Sequence, residues 1–139
     1  MSQFVRVSIN ALKNVDPGLF NHMIKNLKVD GHGTLSLNTK KHSIHVPQAL
    51  GRKTEDDVDC VLQENGVDTS IGFKIRGENN ILQIRGDFWR TGFDEKTFGN
   101  IIAQNYTVEK VKRNAKIAGQ NLVKKTVKND GAIVLRYAV

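Results

Sequence analysis

The stretch from Ile81 to Tyr106, ILQIRGDFWRTGFDEKTFGNIIAQNY, constrains this chain more than any other, because a period-two pattern runs there into a glycine-containing turn and emerges at helical spacing. Leu82, Ile84, Gly86 and Phe88 share one face of the predicted strand, and Ile81, Gln83, Arg85 and Asp87 the other. Trp89 closes it. Beyond Arg90-Thr91-Gly92-Phe93, Asp94 is placed to cap a helix, and Glu95 falls in the first turn, where the helix dipole favours an acid. Phe98, Ile101 and Ile102 follow at helical spacing, so strand and helix are expected to share one core.

The rest of the chain is read around that corner. Val5, Val7 and Ile9 alternate with Arg6, Ser8 and Asn10 in an opening strand. Asp16-Pro17 then supplies an N-cap and a proline at the first helical position, and Leu19, Phe20, Met23, Ile24 and Leu27 form an apolar stripe that stops by Asp30-Gly31. Residues 34–38 and 42–46 alternate over short spans and predict a small hairpin, ended by Pro47. Residues 48–57, QALGRKTEDD, are poor in apolar side chains and predict an exposed loop.

Two further strands, 58–63 and 69–76, flank Asn65-Gly66, a strong hairpin signal, so residues 58–89 predict a three-stranded meander. After Tyr106 the helical pattern breaks, and Thr107 is placed to cap a second segment lined by Val108, Val111, Ala115 and Ala118, with Gly119 at its end. Strands 122–127 and 132–137 close the chain across Asn129-Asp130-Gly131. The expected architecture is one α+β domain spanning residues 1–139: an antiparallel sheet with two helical elements on one face, in a ferredoxin-like sandwich.

Composition narrows the function. An apolar fraction of 39% and a charged fraction of 25% are those of an ordinary globular protein. No apolar run reaches the roughly 20 residues of a membrane span, and MSQFVRVSIN lacks the pattern of a signal peptide, so a cytoplasmic setting without membrane contact is expected. The lone Cys60 cannot form an internal disulfide. The net charge of +7 is concentrated near the C-terminus, where residues 104–139 carry eight Lys and Arg against Glu109 and Asp130. Glu55, Asp56, Asp57 and Asp59 form an opposing acidic run, and such asymmetry points to an anionic partner.

No pattern of catalytic chemistry is present. His42 and His45, three apart on a strand, point to opposite faces and do not converge with His32 and Cys60 on a zinc ion, so no metal is expected. The acidic run lacks the central glycine and distal glutamate of a calcium loop. Gly31-His32-Gly33 lacks the third glycine of a phosphate loop, and there is no serine nucleophile elbow. Neither cofactor nor small-molecule substrate is implied.

One resemblance covers roughly residues 70–137 and a scrap of the N-terminus. Its motifs are Ile71-Gly72-Phe73, then Asp87-Phe88-Trp89 and Thr91-Gly92-Phe93-Asp94 with Phe98 and Asn100. They continue through Gln104-Asn105-Tyr106, Val111, Ala115 and Gly119 to Asp130-Gly131-Ala132-Ile133-Val134-Leu135. In order and spacing these are similar to the hypothetical chloroplast reading frame thirty-five family, small proteins of plastids, cyanobacteria and their phages. Arg90 stands where that family tends to carry glycine, Thr107 where alanine is usual, and residues 28–60 have no evident counterpart. The resemblance implies a fold and a cytoplasmic or plastid-stromal setting, and no reaction.

The functional expectation is therefore a non-enzymatic binding module. Lys110, Lys112, Arg113, Lys116, Lys124 and Lys125 would contact an anionic partner, either nucleic acid or an acidic protein. The competing expectation is an adaptor or structural subunit of a protein complex, assembling through Trp89, Arg90 and Tyr106, residue types that dominate interface energetics.

Overall fold

A computed structural model describes residues 4–46, 55–89, 91–129 and 132–138. Its elements in chain order are β1 (Phe4–Ser8), α1 (Pro17–Asn26), β2 (Leu35–Asn38), β3 (Ser43–His45), β4 (Glu55–Asp57) and β5 (Cys60–Glu64). There follow β6 (Val67–Arg76), β7 (Ile81–Asp87), α2 (Glu95–Ile117), β8 (Asn121–Val127) and β9 (Ile133–Ala138). The fold is α+β. Its main sheet has five strands in the order β1-β7-β6-β5-β2, with every neighbouring pair antiparallel.

The β5-β6-β7 meander is written in its turns. Asn65 and Gly66, with φ of 52° and 79°, give the double left-handed turn that matches strand twist, and Asn80 repeats the left-handed conformation before β7. Leu82 and Ile84 of β7, and Phe88 just after it, are buried on the helical face. Gly86 sits between β1 and β6, and a Cβ there would lie 2.4 Å from the Ser70 carbonyl oxygen, so only glycine lets these strands close up.

Both helices pack on the same face. The Asp16 carboxylate accepts from the Gly18 and Leu19 amides at 2.9 and 3.1 Å, and Phe20, Met23 and Ile24 of α1 are buried. The helix ends at Asn26, ahead of Asp30-Gly31. Asp94 caps α2 in the same manner through the Thr97 amide, at 3.0 Å. Tyr106 is 1% exposed, and its hydroxyl accepts from the Asp16 amide at 2.9 Å, tying the middle of α2 to the start of α1. Tyr106→Phe would leave that amide unpaired, and urea unfolding should show a loss of about 1 kcal/mol.

The expected break at Thr107 does not occur: α2 runs unbroken for 23 residues. Thr107 instead donates its hydroxyl to the Ala103 carbonyl inside the helix, at 2.8 Å. What changes there is the buried side. Phe98, Ile102 and Tyr106 share one face, whereas Ala115 lies nine residues beyond Tyr106, about two and a half turns on, and is buried on the opposite face with Val108. A helix that changes its buried face reads in sequence like two helices. It closes after Ala118, with the Gly119 and Gln120 amides donating to the Lys116 and Ala115 carbonyls and Gly119 at φ 75°.

Residues 34–38 and 42–46 do not pair with each other as expected. β2 pairs with β5, and β3 pairs with β4 in a separate ribbon. The cause is burial on opposite sides: Leu35 belongs to the helix-side core, while Ile44 packs with Val58, Val61 and Phe4 in a second core on the far face of the sheet. The loop expected at 48–57 is corrected over its last three residues, which are β4; residues 47–54 lie outside the described residues. A ferredoxin-like arrangement would also bring a strand following α2 into the main sheet. Here β8 and β9 form their own two-stranded sheet.

The ribbon covers a charge cluster. Asp56 is 5% exposed and accepts from Arg6 Nη2 and Nε at 2.7 and 2.9 Å. Arg85, with a side chain equally buried, stands 3.5 Å from the same carboxylate and donates to the Asp57 carbonyl and to Gln83. Thus the outward face of β7 is covered at Arg85, and Asp56 belongs to the structure's interior and not to a solvated acidic loop.

Candidate interaction surface

The six basic residues singled out from sequence separate into two groups. Arg113 Nη1 donates to the Asp16 carboxylate at 3.0 Å, so this side chain reinforces the α1 N-cap. That contact helps hold the Asp16 carboxyl below its usual range, after the larger effect of the Leu19 amide. Lys112 pairs with Glu109 one turn earlier at 3.6 Å, and Lys110 is half-buried. Lys116, exposed in the last turn, complements the negative end of the helix dipole. The C-terminal half of α2 is therefore partly committed to the protein's own carboxylates.

The hairpin is different. Every residue of β8 is exposed, and in β9 half-buried residues alternate with exposed ones. Ile133, Leu135 and Tyr137 are the half-buried positions; a groove between α2 and β9 is lined by Thr107, Val108, Ala132 and Ile133. A bulge falls between Leu122 and Lys124, after which Lys124 stands directly opposite Arg136 and Lys125 opposite Leu135. Lys124 and Lys125 thus point to different faces. Two cations directly opposed across a ladder repel, so the exposed face bearing Lys124 and Arg136 is arranged at some cost to the hairpin. Arg136 was not among the expected site residues. The signal was the register implied by Asp130-Gly131, which places residues near 124 and 136 across from each other.

The corner also divides. Trp89 is 41% exposed at the end of β7, and its amide donates to Asp87 at 3.1 Å. Tyr106 is in the core and cannot join an exposed corner patch. Arg90 lies outside the described residues. Beside the corner, His32 stacks on Phe93 with ring centroids 3.7 Å apart. Its Nδ1 faces the Glu64 carboxylate at 3.2 Å and its Nε2 the Gly92 carbonyl at 3.2 Å. Both ring nitrogens thus face oxygen atoms. This joins the start of β2, the end of β5 and the approach to α2, and nothing local in the sequence announces it.

Other chemistry is scarce. Among the described residues no three His, Cys, Asp or Glu side chains form a group suited to a metal ion. Burial, with the charge of Asp59, pushes the Cys60 thiol up to about 12, so it stays protonated and inert as a nucleophile at neutral pH. No helix among the described residues is long and apolar enough to cross a membrane.

The geometry defines a small α+β protein: a five-stranded antiparallel sheet carrying two helices on one face and a two-stranded ribbon on the other, with a basic hairpin set apart. Residues 34–135 match the family described as proteins of unknown function, DUF1257, and the chain belongs to that family. The match begins at β2, so it takes in the residues from 34 to 60 for which no counterpart was evident, and it includes β8 and the first half of β9. No curated protein and no solved structure matches the chain.

Proposed function

We propose that the protein is a non-enzymatic binding module that engages an anionic partner through the β8–β9 hairpin and the adjoining end of α2. The observation that carries this reading is the opposition of Lys124 and Arg136 on an exposed face, a repulsive arrangement that an anion would relieve. Lys116 and Lys128 are exposed nearby and Lys125 lies on the other face of the hairpin, whereas Arg113 and Lys112 serve internal contacts. The resemblance over residues 70–137 supports a cytoplasmic or plastid-stromal setting in a cyanobacterial, plastid or phage system.

The test is a salt series with the full chain and a single-stranded oligonucleotide as a generic polyanion. Binding is expected at low salt, with log K falling as log salt rises. Neutralising both cations, Lys124→Gln with Arg136→Gln, should lower that slope by about 1 for each side chain. The same change should leave folding intact and stabilise the hairpin by a few tenths of a kcal/mol, since the cross-strand repulsion is gone. Opposite signs for binding and stability separate a functional patch from a merely solvated one. Absence of binding at the lowest salt overturns the reading.

A second reading, assembly into a protein complex through the corner, is favoured by the exposure of Trp89. Trp89→Ala should leave polyanion binding unchanged; if it abolishes binding, the corner and not the hairpin is the contact.

A further inference from the structure

We infer that the partner is an acidic, extended polypeptide segment that adds as a third strand along the open edge of β8. The inference rests on the anionic-partner reading and narrows it to one class of ligand. A two-stranded ribbon is marginal in water unless a third strand or a helix supports it; here α2 adjoins β9, while the edge of β8 has no strand beside it among the described residues. Among the described residues, β8 and β9 pair only with each other, and β8 is exposed along its whole length. One edge of β8 therefore carries backbone donors and acceptors with no strand across from them, the arrangement that β-augmentation uses.

The side chains along that edge select the ligand. Val123 is 57% and Val127 62% exposed, interleaved with Lys124, Lys125 and Thr126. Phosphates would engage the lysines and leave these valines in water; a strand alternating acidic and apolar residues would use both. A base-stacking platform is also missing from the hairpin's outer face, since its one aromatic, Tyr137, is half-buried with its hydroxyl inside. A second copy of the chain is disfavoured, because pairing β8 against β8 brings the Lys124-Lys125 pair of one copy toward that of the other. Lysines on an edge strand can also serve only to block such self-pairing. That role predicts the same exposure but no response to an acidic strand.

The experiment follows backbone amide exchange of the isotope-labelled full chain by NMR with three probes. These are an alternating Glu-Val hexapeptide, a Glu-Pro hexapeptide of equal charge that lacks the amides to pair, and oligothymidylate. The expected result is that Glu-Val slows exchange in residues 121–127 by about tenfold at roughly nine times its Kd, while neither Glu-Pro nor oligothymidylate does so. Lys124→Gln with Arg136→Gln should weaken the Glu-Val effect. Equal slowing by Glu-Pro or oligothymidylate overturns strand addition, because charge alone then suffices, and leaves the anionic-partner reading standing. Oligothymidylate binding with no Glu-Val effect has the same meaning. If no probe binds at low salt, both readings fall.

Discussion

Asp56→Asn is expected to cost the fold about 3 kcal/mol in urea or thermal unfolding, because it strands a buried cation. Asp56 accepts from Arg6 and is the counter-ion of Arg85, and only Arg6 reaches solvent to a large extent, its side chain being 47% exposed against 5% for Arg85. Removing the carboxylate charge leaves Arg85 under the β3–β4 ribbon with a carbonyl and an amide oxygen and only the more distant charge of Asp57, which Lys74 already pairs. The pH dependence follows from the same geometry. Burial by itself would push the Asp56 carboxyl up, but the Arg6 hydrogen bonds, the charges of Arg6 and Arg85 and the Asp57 amide outweigh it and hold the carboxyl below its ordinary 3.8. A depressed carboxyl contributes stability that is fully present above the ordinary value and is lost as the pH falls through the folded-state value. Glu64 adds to the same trend, held low mainly by the Gly33 amide and also by His32. Unfolding free energy should therefore decline as the pH drops below about 4, and Asp56→Asn should flatten part of that decline. A cost under about 1 kcal/mol at neutral pH would show that the ribbon relaxes to let water reach Arg85.

Phe98→Ala should destabilise the protein by about 4 kcal/mol, a large share of the total for a chain of this size. Phe98 is 1% exposed in the first turn of α2, with ring centroids 4.7 Å from Phe93, 6.1 Å from Phe88 and 6.2 Å from Phe73. These rings come from β6, from the end of β7 and from the turn that follows it, so one side chain holds the strand-to-helix corner together. The cavity left by alanine has rigid walls on several sides, since Phe73 is itself packed edge-on against Phe20 of α1 at 4.9 Å. Phe98→Leu keeps most of the volume and should cost about 1 kcal/mol. Similar midpoints for the two variants in denaturant would mean that the corner collapses around the vacancy, and that Phe98 is not its anchor.

The elements that sequence alone determined are those whose causes lie within a few residues. Asp16 and Pro17 start α1, Asp94 caps α2, Gly119 ends it, and Asn65-Gly66 closes the β5–β6 turn, each by a local hydrogen bond or a left-handed φ. Alternation along β1, β6 and β7 needed no partner to be read, because one face of each strand is apolar. The tertiary structure decided the rest, since those outcomes depend on which distant surface comes to lie nearest. Ile44 and Leu35 are equally apolar, yet they bury on opposite faces, so β3 leaves β2 for β4. Asp56 resembles its acidic neighbours until Arg6 and Arg85, 50 and 29 positions away, close around it. Arg113 reads as one more surface cation until Asp16, 97 residues earlier, takes it up. Lys124 and Arg136 are left facing one another in the open, because α2 changes its buried face midway and the hairpin stays outside the main sheet. Periodicity and turn chemistry are short-range and survive in a string of letters, whereas burial and charge pairing act through space and exist only once the chain has closed on itself.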